Sequence, residues 1–352
     1  MAGELRVVQP VLMLHAGPWR RHFRLDAMAN LEGLSMRGGQ LAPGAWGEGY
    51  VDRRHPHTWL HELVFTWALP VVSLSAGKGF APFGTDDPMS RPILRYPVNH
   101  HLAQVLERAV VLGAARRGPV MVEGAVFNGD EPEKPEQWPK LGRFGDSWSA
   151  RLTLLPWEGI EAQVSHARIA SPEHRDGAGL TQRKWSASVR AERRIGRAPV
   201  YGLVEWARSA EAGGFFRFTS LLGEAAWSPG RYRLAYRFER TERPEEQRTL
   251  NLYRSVRPHL DNSIVGTSRW TLHSVGWSME ALSPEAPLSI APLVELTLGN
   301  VHSLTPVSFD PDDFYGRDTF WALSVGVRVS GGARLHRMGR YGVAAGSGAQ
   351  HH

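Results

Sequence analysis

From Lys184 to Glu192 the chain alternates without a break: Trp185, Ala187, Val189 and Ala191 fall on one side of an extended strand, Lys184, Ser186, Ser188, Arg190 and Glu192 on the other. Successive side chains of a β-strand point to opposite faces, so one face is apolar and one charged. The pattern returns with Tyr232, Leu234, Tyr236 and Phe238 against Arg233, Arg237 and Glu239, and again with Trp321, Leu323, Val325 and Val327 against Ser324 and Arg328. Extended along the chain, the same template predicts strands near residues 6–15, 20–32, 57–69, 71–79, 107–115, 119–128, 147–155 and 160–170. Further strands follow near 182–194, 200–208, 216–228, 232–243, 268–281, 288–300 and 318–330.

The connections alternate as well. Tight turns are expected at Ala16-Gly17-Pro18, Pro70, Arg116-Arg117-Gly118-Pro119, Pro156-Trp157-Glu158-Gly159 and Pro229-Gly230, and long loops near 33–56, 80–106, 129–146, 171–181, 244–267 and 301–317. Short turns on one side and long loops on the other describe an up-and-down meander. The tryptophans follow the same two levels: Trp59, Trp148, Trp185, Trp270 and Trp321 open alternating stretches after long loops, while Trp67, Trp157 and Trp227 lie in or beside short turns, as does Trp19. Indole prefers a membrane interface, where its apolar face and its N–H are both satisfied, so these eight excluding Trp19 are the expected aromatic girdles.

These features predict an all-β fold, an antiparallel up-and-down transmembrane β-barrel. Closed bacterial barrels have an even strand number, so fifteen segments imply a sixteen-stranded parent. The alternative is fourteen strands, with residues 6–15 set aside as a periplasmic or plugging segment. Residues 1–345 read as a single barrel domain, since no composition shift or linker divides them, and residues 346–352 as a disordered tail. Neither a basic region nor an apolar run of secretory type follows Met1, so a signal peptide and the first strand are expected upstream. The longest apolar runs fall far short of the roughly 18–20 residues of a membrane-spanning helix.

A charge on the lipid-facing midplane costs about 2–4 kcal/mol for Arg or Lys, so the charged faces should point inward. They assemble a lumen from Arg24, Glu62, Lys78, Glu123, Arg151, Glu161, Lys184, Arg190, Glu205, Arg233, Arg237, Glu295 and Arg328. The net charge of +6 is spread over nearly every segment and alternates with glutamates, which argues against a nucleic-acid footprint. No cysteine is present, so there is no disulfide or thiolate site. His55, His57 and His61, with His100-His101, lack a completing carboxylate constellation and read as loop histidines rather than a metal site. No nucleophile motif or phosphate-binding loop occurs, and neither an enzymatic activity nor a cofactor is expected.

Gly77-Lys78-Gly79-Phe80-Ala81-Pro82-Phe83-Gly84, followed by Asp86-Asp87 and by Glu107-Arg108 at the start of the next strand, resembles the phosphate-selective porin family. That family carries a Gly-basic-x-x-x-Pro-Phe-Gly stretch after an early strand and a Glu-Arg pair where the next begins. The resemblance implies a water-filled outer-membrane channel in which a long loop folds into the lumen, with Phe80, Pro82, Phe83, Asp86, Asp87, Arg95, His100 and His101 at the constriction. Within that loop Asn99 could cap a short helix carrying Leu102, Val105 and Leu106. Two departures stand out. Residues Gly331 to His352 follow the last strand where the family ends in an aromatic residue, and no ladder of lumenal Lys/Arg runs uninterrupted by Glu.

The function expected is a bacterial outer-membrane porin for passive diffusion of small hydrophilic solutes, inorganic anions among them. Its partners would be outer-membrane lipid and, by resemblance alone, further copies in a homotrimer. The alternative is a closed outer-membrane barrel with a structural or adhesive role through its external loops.

Overall fold

The computed structural model describes residues 7–20, 22–31, 58–85, 91–132, 135–172, 174–246, 264–283, 286–332 and 337–347. Fifteen strands form one antiparallel sheet in chain order. They are β1 Val11–Trp19, β2 Phe23–Asn30, β3 Leu60–Ala68, β4 Val72–Gly79, β5 Arg108–Arg117, β6 Val120–Phe127, β7 Ser147–Trp157 and β8 Ile160–Ala170. The second half comprises β9 Thr181–Ile195, β10 Ala198–Glu211, β11 Phe216–Trp227, β12 Tyr232–Glu246, β13 Ile264–Met279, β14 Leu288–Ser303 and β15 Thr319–Gly331. Each strand pairs with its neighbours in sequence, and among the described residues no ladder joins β1 to β15.

Alternation decides which face is which. Val164, Val189, Val204, Leu221, Tyr236, Val275, Leu298 and Leu323 belong to successive strands and are all exposed, while Gln163, Ser188, Glu205, Glu224, Arg237, Ser274, Thr297 and Phe320 on the opposite face are buried. A water-soluble sheet hides its apolar face; this one turns it outward. The inner face is enclosed because the sheet wraps around a common interior. Leu106 and Phe80 pack on Met28 of β2, Phe83 and Val105 on Val64 of β3 and Val110 of β5, and Leu102 on Ala207 of β10. Ile93 belongs to one cluster with Ala226 and Ala235, and Val98 to another with Trp270, Leu272, Val301 and Phe320. A single segment touches inner faces from β2 to β15.

Three local expectations need correcting. The first tight turn lies past Trp19, because β1 continues through Gly17-Pro18 with a register shift between Ala16 and Trp19 against β2. The ladder from Val11 to Trp19 keeps this segment in the sheet, which removes the fourteen-stranded alternative. Beyond β15 the chain re-enters the fold, and a 3-10 helix spans Gly342–Ser347; residues 348–352 of the expected tail lie outside the described residues.

Candidate functional site

The chain enters the lumen at the end of β4, where the glycines explain the motif. An added Cβ at Gly77, whose φ is +150°, would meet the Leu63 carbonyl oxygen at 2.0 Å, and one at Gly84, with φ +70°, would meet that of Ala103 at 1.8 Å. The segment therefore doubles back on itself at Gly84, with a short helix at His100–Ala103 on its return. Strand side chains hold it along its length. Leu94 N–H donates to Glu295 at 2.7 Å, Val98 N–H to Glu239 at 2.6 Å, and the Asn99 amide to Glu205 at 2.9 Å and Ser220 at 3.3 Å. Arg237 donates to the Ile93 carbonyl at 2.9 Å, and Lys184 to that of Gln104 at 3.2 Å. Asn99 thus binds the wall instead of capping the helix with its side chain, contrary to the expected cap. Its amide finds a carboxylate on β10 and a hydroxyl on β11, and a charged acceptor is one that a helix end cannot match.

Glu107 and Arg108 close the segment. The Glu107 carboxylate accepts from Thr58 N–H at 3.1 Å and from the His61 ring, and Lys78 Nζ lies 3.6 Å away. Arg108 reaches Glu131 at 2.9 Å and the Leu106 carbonyl at 2.7 Å. His61 is consequently a buried interior residue, as is His100, and the expectation of loop histidines on the surface fails for both. His55 and His57 lie outside the described residues, as do Asp86 and Asp87.

A second segment fills the lumen from the C-terminal side. Arg337 donates to Glu161 at 2.9 Å; Arg340 bridges Glu123 and Glu161, at 3.1 Å each; and Arg151, 2.7 Å from Glu123, also donates to the Gly84 and Gly339 carbonyls at 3.2 Å each. Arg151 thus ties both inserted segments to β7. Tyr341 accepts from Phe80 N–H at 3.1 Å through its hydroxyl, which lies directly over Gly79. Burial pushes its phenol well above the usual range, so it stays a neutral hydroxyl. Val343 N–H bonds Ser73 at 3.1 Å.

Of the thirteen residues expected on the inner face, twelve take the inward parity of their strands. Lys78 is a correction, since it shares the parity of exposed Val72 and Leu74 while Ser73 and Ser75 point inward, and it is buried instead because Thr58 and Glu107 cover it at the end of β4. Glu62, Lys78, Glu123, Arg151, Glu161, Lys184, Glu205, Arg237 and Glu295 are buried against the inserted segments or each other. Arg24 and Arg190 are half-buried, while Arg233 and Arg328 are exposed near the short-turn end. In the loop, Phe80, Pro82, Phe83, Arg95 and His100 are buried and His101 half-buried. Arg91, Glu224, Arg337, Arg340 and Tyr341 join them without having been anticipated, and so does Glu239, which the alternation places on the charged face of its strand but not among the lumen residues. The one sequence signal for the last three was the Arg337-Met338-Gly339-Arg340-Tyr341 run, basic and aromatic, in an otherwise small-residue tail.

Among the girdle tryptophans, Trp59, Trp67, Trp148, Trp157, Trp227 and Trp321 are exposed and Trp185 is half-buried. Trp270 is a correction: it is fully buried on the inner face of β13, its indole N–H donating to Glu245 at 2.8 Å and its ring stacked on Phe320 at 5.6 Å. Leu272 and Ser274 share that face, so the exposed aromatic of this strand is Trp277.

No known family profile matches the chain, and no curated protein does. Among solved structures it is similar to an anion-selective porin from Comamonas acidovorans, at 9% identity and TM-score 0.44, covering 79% of this chain and 74% of that one. It is also similar to OccK9 (OpdG) of Pseudomonas aeruginosa, at 13% identity and TM-score 0.48 over 87% and 74%. A third is Wzi, an outer-membrane protein of Escherichia coli involved in group 1 capsule assembly, at 11% identity and TM-score 0.43 over 84% and 75%. With every one of these scores below 0.5, the functional reading rests on the geometry of the sheet and its lumen.

Proposed function

We propose that this chain is a porin-like channel of the bacterial outer membrane, passing small hydrophilic solutes through a lumen narrowed by residues 80–85, 91–107 and 337–347. The observation that carries the reading is the sense of the sheet: an exposed apolar face outside, a charged and hydrogen-bonded face inside, and a long segment crossing the interior. A bilayer accepts strands only where their backbone is paired and their outward side chains are apolar. Long loops would face the exterior and short turns the periplasm.

The inner basic residues are largely neutralised by Glu123, Glu161, Glu205, Glu224 and Glu239, whereas Arg233 and Arg328 stay exposed at the periplasmic mouth. Inorganic anions are therefore favoured modestly, since screening over about 8–10 Å limits what two arginines can do. Planar-bilayer recordings across a salt gradient test this, with stepwise conductance and a small anion-selective reversal potential as the expected result. A clear cation-selective potential contradicts the bias. A correctly folded protein without conductance favours the closed barrel with a structural or adhesive role. Assembly into a trimer is part of the proposal by resemblance, and cross-linking in native membranes tests it.

A further inference from the structure

We infer that the outer surface of β8 to β11, at the long-loop rim, binds the phosphate of an outer-leaflet lipid headgroup. The inference rests on the outer-membrane reading above and goes beyond it. Its starting point is a contrast between arginines. Among the described residues, all six buried arginines of the interior have a carboxylate within 4.0 Å: Arg91 has Glu205, Arg95 Glu239, Arg108 Glu131, Arg151 Glu123, Arg237 Glu224, and Arg340 Glu123. Arg168, Arg183, Arg208 and Arg217 have none among the described residues.

These four face the lipid side, as their parity with exposed Val164, Val189, Val204, Trp206 and Leu221 requires. They lie in the last two turns of the pleat before the external connections, above that apolar band. Arg168 and Arg183 are directly opposite one another in the β8–β9 ladder. Such a cross-strand pair of like charges is repulsive unless an anion lies between them. Arg183 pairs with Ala210, which pairs with Arg217, and Arg208 pairs with Trp185, so the four guanidinium groups form one patch. No outward position of β7 to β11 carries Asp or Glu.

The hydrogen bonds that exist leave donors over. Arg168 donates to the Asp146 carbonyl at 2.9 Å and Arg217 to that of Gly214 at 2.6 Å, each using one of five N–H groups. Arg208 lies over the Trp185 ring at 5.8 Å, and His166 stands between Trp148 and Trp185 at 5.3 and 5.0 Å. The rings provide a rigid apolar floor at the level where acyl chains meet headgroups, and guanidinium groups above it match phosphate oxygens in pairs. Two strands further along, on β13, Arg269 supplies an internal comparison: it faces the same side but is bound to Glu242 at 2.8 Å.

The test is native mass spectrometry of the folded full chain released from detergent after incubation with bisphosphoryl lipid A, with phosphatidylethanolamine as the zwitterionic reference. Wild type should retain lipid A in preference to phosphatidylethanolamine. Changing Arg168, Arg183, Arg208 and Arg217 together to Gln should lower lipid A occupancy about ten-fold or more, since the charge-assisted donors that hold the phosphate are then lost. Arg269→Gln should leave it nearly unchanged. If the quadruple variant does not fold, Arg183→Gln and Arg217→Gln, both at exposed positions, carry the test singly with a smaller expected loss. Equal retention of both lipids by wild type, or undiminished lipid A binding by the variants, overturns the inference while leaving a conducting barrel intact. A chain that never forms a heat-modifiable barrel in detergent overturns the membrane reading itself.

Discussion

Glu161 is the residue on which the C-terminal segment depends, because it holds both Arg337 and Arg340, whereas Glu123 retains Arg151 when Arg340 is lost. Glu161→Ala removes the Arg337 ion pair and leaves Arg340 with Glu123 alone, and breaking a buried pair costs about 3–5 kcal/mol. Arg340→Ala should cost less. Limited trypsinolysis of the folded barrel reads the difference: the Arg340–Tyr341 bond should be protected in wild type and cut in Glu161→Ala. Equal protection in both would show that the segment is held by its apolar contacts instead. On the opposite face, Val189 is 53% exposed on β9, and Val189→Arg should destabilise assembly by about 2–4 kcal/mol if it lies near the midplane. Unchanged urea midpoint and membrane yield would contradict its placement in lipid. Trp270 marks where residue-level legibility ends. Its strand carries large side chains on both faces, with Trp270 and Leu272 on one and Val275 and Trp277 on the other, so alternation alone does not say which faces out.

At the scale of elements, strands were legible and insertions only partly so. Fifteen segments of period-two alternation correspond to fifteen strands because a wall with lipid on one side and polar groups on the other imposes that period on every strand. The inward course of residues 80–85 and 91–107 had a local cause in Gly77 and Gly84, which permit close backbone approach to Leu63 and Ala103. The C-terminal segment had none: its position is fixed by Glu123, Glu161, Ser73 and Phe80, each far away in sequence, and no local pattern encodes such pairings. Ending the chain after Gly332 should therefore leave the sheet intact and raise single-channel conductance severalfold, in the same bilayers used for the full chain. An unchanged conductance would place the narrowest point entirely within residues 80–107.

At the scale of the whole molecule, everything else follows from a wrapped sheet with lipid outside and its own polar segments inside. Because the chain contains no cysteine, single cysteines can be introduced along β9 and spin-labelled in reconstituted vesicles without altering any native site. Accessibility to oxygen, which concentrates in the bilayer core, should alternate with period two. Labels at 185, 187, 189 and 191 should be highly accessible, and labels at 184, 186, 188 and 190 protected. Uniform accessibility, or a maximum at the even positions, would contradict the sense of the sheet and with it the channel.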